Sequence, residues 1–152
     1  MEYIFYVIYR GIFFFYLILL FITGIKDIKT KQIKNGIPIT MIIIAILYRL
    51  LEIKLKQNLF ENGNGGIGFC LGGFPFFLIS FLGGTEKMGG GDVKFMAANG
   101  LFLGERVLTA SMIGMGLATI YLFVFIIIRK PKKGVALAPF LGIGCVCSIF
   151  LK

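Results

Sequence analysis

The sequence predicts an all-α polytopic membrane protein, a compact bundle of about six transmembrane helices with the fourth one short. Three observations lead there. Of 152 residues, 58% are hydrophobic and only 15% charged, where a soluble domain has about 45–50% apolar and about 25% charged residues. The charged residues are crowded into a few short stretches. Between them lie apolar runs close to the roughly 20 residues that cross a hydrocarbon core about 30 Å thick. A mean hydropathy of +0.93 agrees with this. One domain, residues 1–152, is the natural count at this length, with no Ser/Pro-rich linker to mark a second.

The first span is expected from about Tyr3 to Ile25, with Arg10 near enough to its start to snorkel or to face the bundle. A cleaved signal peptide is the rival reading. No small-x-small site follows the apolar core and five more apolar segments do, so a retained span is expected. The basic stretch from Lys26 to Asn35 reads as a turn containing Asp27. A second span then runs from about Gly36 to Leu51, with Pro38 in its first turn, where a missing N–H costs little.

The polar segment Glu52 to Gly65 reads as a loop, and Gly66 to Leu82 as a third span with a kink at Pro75. Gly83 to Gly91 reads as a glycine-rich cytoplasmic loop, followed by a short fourth span from about Asp92 to Leu103. The fifth span is expected over Val107 to Ile128. A basic hairpin from Arg129 to Lys133 leads into a sixth, from Gly134 to Leu151. Gly68 with Gly72, and Gly100 with Gly104, are small residues four apart, a spacing that lets membrane helices approach closely.

A net charge of +9 would raise nucleic acid as a partner for a soluble chain. In a membrane protein it points instead to basic loops kept on the cytoplasmic side. With six spans and both termini outside, ten of the sixteen basic residues fall inside, including Lys26, Lys29, Lys31, Lys34, Lys87 and Lys94. Asp27 and Asp92 then share the cytoplasmic side.

The inventory of reactive groups is short. There is no histidine, which removes His-based triads and most zinc sites. Ser80 and Ser111 lie in apolar runs with no base nearby in sequence. Cys70, Cys145 and Cys147 show neither CxxC spacing nor a disulfide framework and read as packing residues. No metal and no cofactor is expected. Of seven acidic residues two are aspartates, Asp27 and Asp92, each where a helix meets the interface.

An ionisable group at that depth faces a bundle interior or water. Two carboxylates in one site do not easily ionise together, so one keeps its proton and the pair supplies a base and an acid. Such a pair can activate water and protonate a leaving amine. Three glycines before Asp92 would let an extended chain lie close to the backbone there. The plainer readings are that Asp92 is an N-cap of the fourth span and that Asp27 is a solvated loop charge among lysines.

Gly89-Gly90-Gly91-Asp92-Val93-Lys94 and the apolar helix after it resemble the GxGD segment of type IV prepilin peptidases. Asp27 with the basic stretch to Asn35 is similar to that family's first catalytic segment, and Ala136 to Gly142 to its Pro-Phe-containing last helix. The resemblance covers nearly the whole chain in the right order, with Lys34 standing where the family has proline. It implies a peptidase-only form, without an N-methylation region. Its members are aspartyl endopeptidases of the inner membrane, cleaving the basic leader from prepilins or pseudopilins at the cytoplasmic face. By that resemblance Asp27 and Asp92 are catalytic, and Gly89, Gly91 and Lys94 shape the site.

A non-catalytic pilus or secretion subunit with the same fold is the alternative. A transporter would instead place its acidic residues mid-span. The presenilin-like proteases share the chemistry but match the other segments less well.

Overall fold

The computed structural model describes residues 2–30, 33, 35–55, 64–83, 89–128 and 136–151. Within them six α-helices follow one another: α1 (Glu2–Thr30), α2 (Gly36–Leu55), α3 (Gly65–Gly83), α4 (Gly90–Leu103), α5 (Val107–Ile127) and α6 (Ala138–Phe150). A single turn of 3-10 helix, Gly104–Arg106, joins α4 to α5. The described residues contain no strand, and the all-α polytopic reading holds.

Large apolar side chains are exposed on the outside, among them Phe21, Phe81, Leu82, Phe123 and Phe150, whereas Asp27, Glu52, Asn99, Thr23 and Ser148 are buried. That inversion of the soluble pattern is what a lipid solvent requires.

Six helices do not make six equal crossings. Four stretches among the described residues are long and apolar enough to span: Tyr3–Thr30, Gly36–Lys54, Gly65–Leu82 and Gly90–Ile127. The last contains α4 and α5 together. At 14 and 13 residues, α4 and α6 are each about 20 Å long, short of a core about 30 Å thick.

Several boundaries also shift. Helix α1 runs on through Asp27 to Thr30 rather than ending at Ile25, so its 29 residues are about 43 Å long and exceed a core about 30 Å thick. Helix α2 continues through Glu52 to Leu55, so Glu52 belongs to a helix and not to a loop. Helix α3 passes through Pro75 without ending. Gly90 and Gly91 form the first turn of α4. Helix α6 starts at Ala138, after non-helical Ala136 and Leu137, with Pro139 in its first turn. Most of the Gly83–Gly91 loop, the basic hairpin 129–133, and Lys31 and Lys34 lie outside the described residues.

Helix α4 sits in the middle, packed on α3 and α2 and touching α5 and α6, while α1 lies against α2 and α6. The α3–α4 seam uses the glycines singled out by their spacing: a side chain at Gly68 would run into the backbone of Gly100 and Gly104. Gly104 also has φ 65°, a left-handed conformation that a side chain would strain. Elsewhere the core is aromatic. Tyr16 stacks on Phe102 at 3.8 Å between ring centroids, Tyr48 lies 4.5 Å from both Phe102 and Tyr9, and Phe13 lies 5.9 Å from Phe102. Each such pair is worth about 0.5–1.5 kcal/mol beyond its buried area.

Candidate functional site

The alternation of helices gathers the end of α1 and the starts of α2, α4 and α6 at one end of the bundle. Three contacts hold them. The backbone N–H of Ala138 donates to Asp27 Oδ2 at 3.0 Å. Lys94 Nζ donates to Asn35 Oδ1 at 3.0 Å. Gly91 lies against Ile33, so close that a Cβ there would stand 2.8 Å from the Ile33 Cβ.

Asp27 is 4% exposed. It is on the last turns of α1, one turn beyond Thr23 and Gly24, where the helix faces α6. Gly24 lets the two helices meet, since a Cβ there would stand 3.3 Å from the Pro139 Cα. The first N–H groups of any helix lack an intrahelical partner, and in α6 Leu137 offers no side-chain cap. Asp27 fills that role from another helix, and the Leu137 N–H contributes to the same carboxylate. It is therefore not a solvated loop charge.

Asp92 is the third residue of α4. Its N–H donates to Gly89 O at 3.0 Å, and Gly89, with φ −69° and ψ 139°, is the N-cap. The expectation that Asp92 itself caps the helix is thereby corrected. A carboxylate in the first turn is still favoured by the N-terminal partial charges of the helix. Asp92 is half-buried and lies within electrostatic reach of Asp27. Both aspartates that the sequence singles out thus stand at the same end of the bundle.

The supporting residues divide. Lys94 ties α4 to the start of α2 through Asn35. Gly91 serves packing against Ile33 rather than leaving room for a bound chain. An added Cβ at Gly89 would stand 3.8 Å from Asp92 Oδ2, and one at Gly90 would meet nothing within 4 Å among the described residues.

Next to the turn of α1 that carries Asp27, an apolar groove of about 440 Å³ runs between α1 and α6, walled by Phe21, Gly24 and Ile28 on one side and Pro139, Val146 and Cys147 on the other. It starts at the turn that carries Asp27 and descends along both helices. All three cysteines are free, with Cys145 buried. No group of three or more His, Cys, Asp and Glu residues that could hold a metal ion occurs among the described residues.

The sequence reading missed the partners of these residues. The Ala138 N–H is a backbone group and leaves no mark in a sequence. At the far end of the bundle, Arg49 and Glu52 form a buried ion pair of 2.6 Å. Opposite charges three apart inside an apolar run would have signalled it.

A family model described as the type IV leader peptidase family matches residues 14–146, a stretch that includes both aspartates. Neither a search of curated proteins nor one of solved structures finds a match.

Proposed function

We propose that this chain, which belongs to the type IV leader peptidase family, is an aspartyl endopeptidase that removes the basic leader from prepilins or pseudopilins, with Asp27 and Asp92 as its catalytic pair. The observation that carries this reading is the convergence of two carboxylates, from the end of α1 and the start of α4, at one end of a lipid-facing bundle. A single peptidase domain would occupy residues 1–152, with its site on the cytoplasmic face of the inner membrane.

In the proposed reaction one carboxylate, ionised, takes a proton from a water molecule as its oxygen attacks the scissile carbonyl. The other, protonated, gives its proton to the amide nitrogen as the C–N bond breaks. The backbone N–H on Asp27 Oδ2 holds that carboxylate in one orientation, which a pair acting on a single water needs. Lys94 and Gly91 fix the start of α4 against α2 and the α1–α2 connection and so support Asp92. Gly89, as N-cap, would let the chain enter α4 without a side chain beside the carboxylate. The groove between α1 and α6 would take the apolar helix that follows the leader, with its scissile end beside Asp27.

The second reading is a non-catalytic pilus or secretion subunit. It gains weight from the bond to Ala138, since that bond gives Asp27 a structural task of its own. Co-expression of a leader-bearing prepilin with the wild type, Asp27→Asn or Asp92→Asn separates the two. Leader removal by the wild type that each asparagine variant abolishes supports the peptidase. Full activity of either variant, or none in the wild type across several pilin classes, favours the subunit.

A further inference from the structure

If the reading above is right, Asp92 works only when α4 stands at the correct height beside α1. At the Asp92 end the described residues offer the packing of Gly91 on Ile33 and an exposed Lys94–Asn35 bond, and the N-cap makes no side-chain bond. We propose that Arg49, at the opposite end of the bundle, is the positioning residue that sets the axial register of α4 and hence the place of Asp92.

Its guanidinium holds at least three groups. Nε donates to Leu101 O and Nη2 to Phe102 O, each at 2.9 Å, and Nη1 meets Glu52 Oε2 at 2.6 Å. The last carbonyls of any helix have no intrahelical partner. In α4 they lie inside a bundle with little water to satisfy them. The flat fork of an arginine reaches two of them together, whereas a lysine head is a single point. Glu52 neutralises the charge, and both side chains are close to fully buried, at 11% and 5% exposed.

Such a clamp resists sliding. A slip of α4 by one turn moves every carbonyl about 5.4 Å and breaks both bonds. A second tie acts two residues before Leu101, where the Tyr16 hydroxyl of α1 donates to Asn99 Oδ1 at 3.2 Å. Over its last turns helix α4 is thereby tied both to α2 and to the Asp27-bearing helix. The ion pair by itself is a weak source of stability, since apolar side chains can often replace a buried pair, whereas the two carbonyls that Arg49 holds would lose their donors. Fixing a register is the service an apolar pair does not provide.

The test uses the full chain in nanodiscs with a leader-bearing membrane substrate. The double variant Arg49→Met/Glu52→Leu removes the clamp without leaving a lone buried charge. It is expected to fold with a lowered thermal midpoint, since the Leu101 and Phe102 carbonyls lose their donors, and with an unchanged KM, while kcat falls about a hundredfold, as misplacement by an ångström can cause. Independently of activity, nitroxides at Ile28→Cys and Gly90→Cys, with Cys70 and Cys147 replaced by serine, report the α1–α4 distance. That distribution is expected to shift or broaden in the double variant.

Wild-type kcat together with an unchanged distance distribution overturns the proposal. Should the double variant not fold, Arg49→Lys decides. Reduced kcat at unchanged KM supports the clamp, and wild-type kcat refutes it. If the wild type cleaves nothing, the peptidase reading fails on its own, and the label distance alone decides the register.

Discussion

The carboxylate of Asp27, on the last turns of α1, accepts a hydrogen bond from the backbone N–H of Ala138 at the first turn of α6. One side chain therefore serves both as helix cap and as half of the proposed pair, and the two roles separate by substitution. Asparagine keeps an acceptor oxygen and loses the acid–base chemistry, whereas alanine loses both. Asp27→Ala is expected to lower stability by about 1–3 kcal/mol, the cost of leaving a buried N–H unpaired. Asp27→Asn should stay within about 1 kcal/mol of wild type. Both should be inactive. Thermal unfolding in detergent, run beside the cleavage assay, checks each arm.

The glycines before Asp92 are not equivalent. An added Cβ at Gly91 would meet the Ile33 Cβ at 2.8 Å and the Ile33 carbonyl oxygen at 2.9 Å, while at Gly90 it would meet nothing within 4 Å among the described residues. Gly91→Ala is expected to destabilise by about 1–3 kcal/mol, as overpacking does, and to reduce leader cleavage. Gly90→Ala should be neutral or stabilising by up to about 1 kcal/mol, through helix propensity. Equal loss in both variants would mean that the room at Gly90 is needed for substrate.

Much of this was legible in the sequence because it rests on composition and spacing. The apolar runs gave α2, α3 and α5 to within a few residues, and the four-residue glycine spacing gave the α3–α4 seam. Asp27 and Asp92 stand out in an inventory with so few reactive groups. The rest depended on tertiary context. Helix α1 outruns its apolar stretch through Lys26 and Asp27 because the start of α6 offers Asp27 a partner, and no local rule contains that partner. Gly91 looks like space for a ligand until Ile33 is seen to fill it. Glu52 looks like the start of a polar loop until Arg49, one turn earlier, turns back to the end of α4.

Lys94 reaches Asn35 across the gap between α4 and α2, but the bond is exposed. A bond open to water contributes about 0.5–1.5 kcal/mol at most. Lys94→Ala and Asn35→Ala are each expected to lower stability by less than about 1 kcal/mol. In a double-mutant cycle their effects should be less than additive, because either change removes the same bond. Activity should fall only a few-fold. A loss as deep as that of Asp92→Asn would give Lys94 a chemical role beyond support.

The groove between α1 and α6 makes a prediction about depth. Its wall includes Cys147, which is free. Cys147 lies nine residues beyond Ala138 on α6, roughly 13 Å along the helix axis. If the substrate's apolar helix descends the groove with its scissile end level with Asp27, the substrate residue facing Cys147 lies about nine positions after the cut, with neighbours one helical turn away also in reach. Single cysteines scanned through the apolar segment of a leader-bearing substrate should form disulfides with Cys147 in a Cys70→Ser background. The yield should peak near that position and recur every three to four residues. Cys147→Ser should abolish the signal, leaving Cys145 silent because it is fully buried. A flat profile, or a peak at another depth, would assign the groove to lipid and send the substrate helix to another face of the bundle.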